Sequence, residues 1–245
     1  MKSIILCEGP TDAILISYYL NSTKKWEYYK GKKSPFSFPI RDSQCEEANW
    51  YTLGDDWLGI WGIGGNTNFE FAIREIQNIN RNYDSSESIT KIVLVTDRDK
   101  TTSDKDITDT FNKIFLNEAI NIEIENNKWV KTQFTNKFSE TVNIEIGCLI
   151  IPFDRQGALE TFLLDALCED KDIKVLVDAS RNLLSSLESL VYLPSDRLKL
   201  KAELGTTFAL MYPTRVFKPL NQILIGVNWE KYKSIQSGFN LLEVI

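Results

Sequence analysis

Glu8, Asp97 and Asp99 are the residues whose types and spacing carry chemistry. Each follows a short apolar run: Glu8 comes after SIILC, and Asp97 and Asp99 close KIVLVTDRD. Side chains two apart on an extended segment point the same way, so Asp97 and Asp99 are expected to face one point with Arg98 turned away. If the two runs are neighbouring strands, Glu8 joins them. Three converging carboxylates repel one another, and they make sense only around a cation or with shifted pKa values. The chain has no histidine, which excludes Ser-His-Asp and Cys-His relays and histidine-ligated zinc. An all-oxygen site favours a hard cation, Mg2+ or Mn2+.

The elements that must position these groups are legible as apolar runs. Residues 3–7 read as a strand, Glu8-Gly9-Pro10-Thr11-Asp12 as a tight turn, and AILISYYL as a helix that Thr11 caps and whose positive end Asp12 complements. Residues from about 21 to 56 are polar and aromatic and read as an insertion of short strands or hairpins. A second strand over 57–63 leads through Gly62, Gly64 and Gly65 to a helix with Phe69, Ala72, Ile73, Ile76 and Ile79 at helical spacing. KIVLVT is the third strand, a third helix starts near Asp104, and a strand pair is expected across 120–125 and 142–151. Segments 157–167, 173–190 and 197–211 read as helices. This alternation predicts an α/β fold: a mainly parallel sheet flanked by helices, with a polar insertion after the first helix and a mostly helical C-terminal region. The expected division is a core over 1–168 and an extension over 169–245 packed on it. In such sheets function gathers at the carboxyl ends of the strands, where Glu8 and Asp97 fall.

A net charge of −6 and a pI near 5.0 argue against a broad basic surface. They leave room for a local patch. Lys24, Lys25, Lys30, Lys32 and Lys33 interleave with Trp26, Tyr28 and Tyr29, a pattern that suits a nucleic-acid backbone with Trp26 or Tyr28 stacking on bases, or else a solvated hairpin. Cys7, Cys45, Cys148 and Cys168 form no C-x-x-C pair and read as free thiols of a cytoplasmic protein. The first apolar run is too short for a signal peptide or a membrane span.

The order of motifs, an apolar strand ending in E-G-x-T-D and a later one ending in D-x-D, resembles the Toprim domain. That domain occurs in type IA and type II topoisomerases, bacterial primases, certain ribosomal RNA maturation nucleases and the overcoming-lysogenization-defect nucleases. The resemblance spans roughly the first 165 residues, interrupted by the insertion. It implies a compact parallel sheet flanked by helices and metal-dependent phosphodiester chemistry. Glu8, Asp97 and Asp99 match the catalytic carboxylates, Gly9 the glycine after the glutamate, and Asp12 the second acidic position. Gly157-Ala158-Leu159-Glu160 is similar to a G-x-x-E segment of some Toprim nucleases, whose glutamate helps to hold metal; the alternative is a solvated first-turn glutamate at a helix N-terminus. Lys199 matches a lysine of the C-terminal part better than Lys201 does, against the reading of an ordinary exposed helix lysine.

The implied mechanism has one or two Mg2+ ions bridging Glu8, Asp97, Asp99 and Glu160, with Lys199 offsetting charge in the transition state. Topoisomerase and primase readings would need further domains. A small nuclease or nuclease subunit is the expectation, acting on DNA or RNA. The chain has no phosphate-loop motif, so by analogy with some anti-phage systems an ATPase would be a separate partner. Homo-oligomer formation stays open. Two rivals remain: a haloacid-dehalogenase-type phosphatase using Asp97-x-Asp99-x-Thr101, and a non-catalytic module that binds nucleic acid or a partner.

Overall fold

The computed structural model describes residues 1–30, 48–101, 103–187 and 191–245. In chain order the first elements are β1 (Lys2–Cys7), α1 (Pro10–Lys24), β2 (Glu27–Tyr28), β3 (Asn49–Leu53), β4 (Asp56–Gly62), α2 (Phe69–Asn82) and β5 (Lys91–Asp97). After them come α3 (Asp104–Asn117), β6 (Trp129–Thr135), β7 (Thr141–Ile151), α4 (Leu159–Leu167), α5 (Lys171–Ser185), α6 (Asp196–Met211), α7 (Leu220–Leu224) and α8 (Lys233–Gly238).

Among the described residues these strands form one sheet in the order β2-β3-β4-β1-β5-β7-β6. The four central strands run parallel: β1 pairs with β4 and β5, and β5 with β7. Both margins are antiparallel, β3 on β4 with β2 beyond it, and β6 on β7. The sheet is therefore mixed, parallel at its centre alone.

Alternation on the central strands feeds two apolar clusters. Ile5, Cys7, Val93, Val95, Leu149 and Ile151 point to one face and pack with α1, α4, α6 and the C-terminal segments. Ile4, Leu6, Ile92, Leu94, Ile146 and Cys148 point to the other and pack with α2 and α3. Strands covered on both faces need continuous apolar sequence, which is why these runs stand out. The C-terminal region is mostly helical and joins the first cluster: the Phe239 ring lies 5.1 Å from Tyr19 and 5.7 Å from Phe162.

The expected strand over 120–125 is not one. Ile120 and Ile124 are buried against the second cluster without sheet pairing, and the strand beside β7 is β6. The turn decides between the two segments. Asn136 Oδ1 accepts from the N–H groups of Phe138 and Glu140 at 3.0 and 2.9 Å, closing a hairpin that joins 129–135 directly to β7.

Cys7 and Cys148 are buried free thiols and Cys168 is a partly exposed one, while Cys45 lies outside the described residues. No helix among the described residues is long and apolar enough to cross a membrane.

Candidate functional site

The carboxyl edge of the parallel strands carries the acidic groups. Glu8 follows β1 directly and is almost fully buried. Its Oε1 accepts from Thr96 Oγ1 at 2.7 Å and from the Asp97 N–H at 2.9 Å, so the end of β5 sets its orientation. Its backbone carbonyl accepts from the Gly65 N–H at 2.8 Å. That bond stacks the glycine turn after β4 onto the turn after β1. A side chain at Gly62 would stand 3.0 Å from the Gly9 carbonyl carbon, and Gly65 has φ of +128°, so the crossing needs glycine at both places. Asp12, in the first turn of α1, accepts from the Gly9 N–H at 2.9 Å and faces the same edge.

Asp97 ends β5. Its Oδ1 accepts from the Leu159 N–H at 2.9 Å, a free donor at the start of α4. Its Oδ2 meets Arg197 Nη2 of α6 at 3.1 Å. Burial, and after it the charges of Asp12 and Glu8, push the Asp97 carboxyl up to about 8, with Arg197 acting in the opposite direction. Burial likewise pushes Asp12 up to about 7; the Gly9 N–H opposes that shift, and Glu8 and Glu160 add to it. Partial burial works against the charge of Arg197, but Asp97, Asp99, Glu8 and Glu160 outweigh it and raise its pKa.

Glu8, Asp12, Asp97, Glu160, Arg197 and Lys201 line one cleft of about 440 Å³. Four of the five acidic residues expected from the sequence thus meet on this cleft. The fifth, Asp99, does not join them. The strand stops at Asp97, and Asp99 takes a left-handed conformation with φ of +50°. Two-residue alternation therefore no longer applies, and an aspartate adopts this conformation more readily than most residues. Asp99 is exposed, exchanges two backbone hydrogen bonds with Gly157 (2.7 and 2.9 Å), and lines the two neighbouring clefts.

Lys199 is not on the acidic cleft either; it pairs with Asp196 at 3.7 Å, one turn back on α6. Arg197 and Lys201 face the cleft instead. Residues four apart share a helix face, whereas Lys199 stands about 200° round from Arg197. That periodicity was the available signal for Arg197. Arg98, expected to turn away from the carboxylates, is buried and ties the edge together. Its Nε donates to the Pro152 carbonyl at 2.8 Å, and its Nη2 donates to the Phe153 carbonyl at 2.7 Å and pairs with Asp104 at 2.5 Å.

The basic stretch lies elsewhere. Lys24 and Lys25 sit at the far end of α1, about 20 Å along the helix from Gly9. Lys24 faces Glu243 at 3.8 Å, and Lys25 donates to the Ser22 carbonyl at 2.9 Å. Trp26 cannot stack on a base: the left-handed turn at Lys25 sends its ring into the first apolar cluster, where it is 1% exposed. Lys30 is exposed, and Lys32 and Lys33 lie outside the described residues.

The carboxylate oxygens on the cleft suit a hard divalent cation in chemistry. Among the described residues, however, no three Asp, Glu or Cys side chains are arranged to hold a metal ion. The Leu159 N–H at the N-terminus of α4 and the Arg197 guanidinium both relieve the burial of Asp97.

A family model described as "Protein of unknown function (DUF3226)" matches residues 2–216. No curated protein matches the chain. The crystal structure of hypothetical protein PH0156 from Pyrococcus horikoshii OT3 is similar at 14% identity with a TM-score of 0.49, over 99% of this chain and 97% of that one.

Proposed function

The chain belongs to the DUF3226 family, and we propose that it is a Toprim-like, metal-dependent phosphodiesterase acting on nucleic acid, as a nuclease or a nuclease subunit. One observation carries this reading: buried and half-buried carboxylates from three separate segments (Glu8 and Asp12, Asp97, Glu160) converge with Arg197 and Lys201 on one cleft at the carboxyl edge of the parallel strands. The cost of burying mutually repelling carboxylates makes sense where a cation is to be held. Glu8, Asp97 and Glu160 would hold it, with Asp12 beside them. When bound, Mg2+ or Mn2+ would polarise the scissile phosphate.

The chain's own groups do the rest. Arg197 and Lys201 bind the phosphate oxygens from the α6 side; a guanidinium suits them with its planar fork of donors. The Thr96 hydroxyl and the N–H groups of Asp97 and Leu159 donate to the carboxylates and fix their geometry. The remaining oxygen of Glu8 is the candidate to take a proton from an attacking water, and Asp99 would act from the adjoining clefts. Nucleic acid, a separate ATPase and a cytoplasmic setting belong to the same proposal.

The test is cleavage of single- and double-stranded DNA, tRNA and ribosomal RNA with Mg2+ or Mn2+, wild type beside Asp97→Ala. Metal-dependent cleavage absent from the variant supports the reading. A folded wild type that binds Mn2+ and cleaves none of them points to a binding module.

A further inference from the structure

From the position of Arg197 on the cleft, we infer that it is the resident counter-cation of this site and that its guanidinium and a divalent ion compete for Asp97. The inference rests on the reading of the cleft as a metal site. Both oxygens of Asp97 already have protein donors, the Leu159 N–H on Oδ1 at 2.9 Å and Arg197 Nη2 on Oδ2 at 3.1 Å. Each oxygen keeps a further lone pair, but an ion that binds Asp97 does so against the fixed positive charge of Arg197 unless that partner yields. The Leu159 N–H is backbone at the start of a packed helix, with Leu159 itself buried. The Arg197 side chain is half exposed on a flexible stem, so it is the partner that yields by rotation alone.

The guanidinium of Arg197 balances part of the charge that Asp97 brings to the cleft it shares with Glu8 and Glu160. Arginine keeps its charge across the whole working pH range, so titration of Arg197 never releases Asp97; ion concentration, or substrate drawing Arg197 away, must do so. Lys201 supplies an internal control. It lies one turn further along the same face of α6 and lines the same cleft, yet among the described residues it makes no ion pair with Asp97.

The experiment is Mn2+ titration of the full chain, by calorimetry and by the electron paramagnetic resonance of unbound Mn2+, on wild type, Arg197→Met, Arg197→Lys and Lys201→Met. Arg197→Met should bind Mn2+ about two- to fivefold more tightly than wild type, the size expected for release of a half-exposed ion pair. Lys201→Met, which removes the same charge without releasing Asp97, should gain less, and Arg197→Lys should stay near wild type. If Arg197→Met proves poorly folded, Arg197→Gln takes its place. Equal affinities for Arg197→Met and Lys201→Met would overturn the counter-cation role while leaving the metal-site reading intact. No Mn2+ binding by any of the four would bring down the metal-site reading and the inference together.

Discussion

The burial of Asp97 ties the stability of the fold to pH. Its carboxyl is pushed up to about 8 from an ordinary 3.8, chiefly by burial. Between those values the folded chain holds a proton there that the unfolded chain has released. Stability of the cation-free protein therefore falls as pH rises from about 4 to about 8, and Asp12 adds to the fall in the same direction. Urea midpoints at about pH 5 and about pH 8 measure this, and Mn2+ at the higher pH should recover part of the loss. Asp97→Asn keeps an acceptor for the Leu159 N–H and removes the buried charge. It should raise the stability of the cation-free protein at the higher pH by about 0.5–2 kcal/mol while abolishing any stabilisation by Mn2+ and any cleavage; paired thermal melts with and without Mn2+ check both. Glu8, Asp12, Asp97 and Glu160 were legible as candidates because each sits at a strand end or in a helix's first turn, where sequence pattern fixes direction. Asp99 and Lys199 were misplaced for the opposite reason. A left-handed residue and a rotation about a helix axis change where a side chain points without changing the pattern around it.

At the scale of elements, Arg98 joins β5, the segment after β7 and the start of α3 through Pro152, Phe153 and Asp104. Arg98→Met would leave carbonyls without their donor in a closed space. It should cost on the order of 2–5 kcal/mol, read from denaturant unfolding, and should loosen the edge that presents Asp97. Gly238 is a second such joint: a methyl group there would lie 2.5 Å from Phe162 Cζ and 2.9 Å from Phe153 Cε2. Gly238→Ala should destabilise by about 1–3 kcal/mol, because two packed rings cannot both retreat. The central strands were readable from sequence since burial on both faces makes them continuously apolar. The margin at β6 was not. In β6, half-exposed and exposed residues alternate, and segment 120–125 alternates in the same way. Only the Asn136 turn distinguishes the two, and it acts through a side-chain oxygen that hydropathy does not register.

The whole molecule is held by two apolar clusters separated by the sheet, and the last residues complete one of them. Trp229, Tyr232, Phe239 and Leu242 all pack into the cluster that also takes in α1 and α4, although the family match ends at residue 216. Phe239→Ala removes a ring set edge-on to Tyr19 and Phe162 and should cost about 3–5 kcal/mol, seen as a lowered Tm. That the C-terminal region is mostly helical was legible; that its aromatic residues complete the packing of α1 was not, since such a contact depends on tertiary path rather than local pattern. The pairing of Asp97 with Arg197, 100 residues apart, also has a consequence for how the chain comes into being. On a ribosome working at roughly 5–20 residues per second, Glu8, Asp12, Asp97 and Glu160 all emerge before Arg197 does. For several seconds the nascent chain carries the four carboxylates without the arginine that pairs with Asp97. During that interval they can stay apart, take up protons or draw cations from solution, so the arrival of α6 is the moment at which the acidic edge first has a partner of its own.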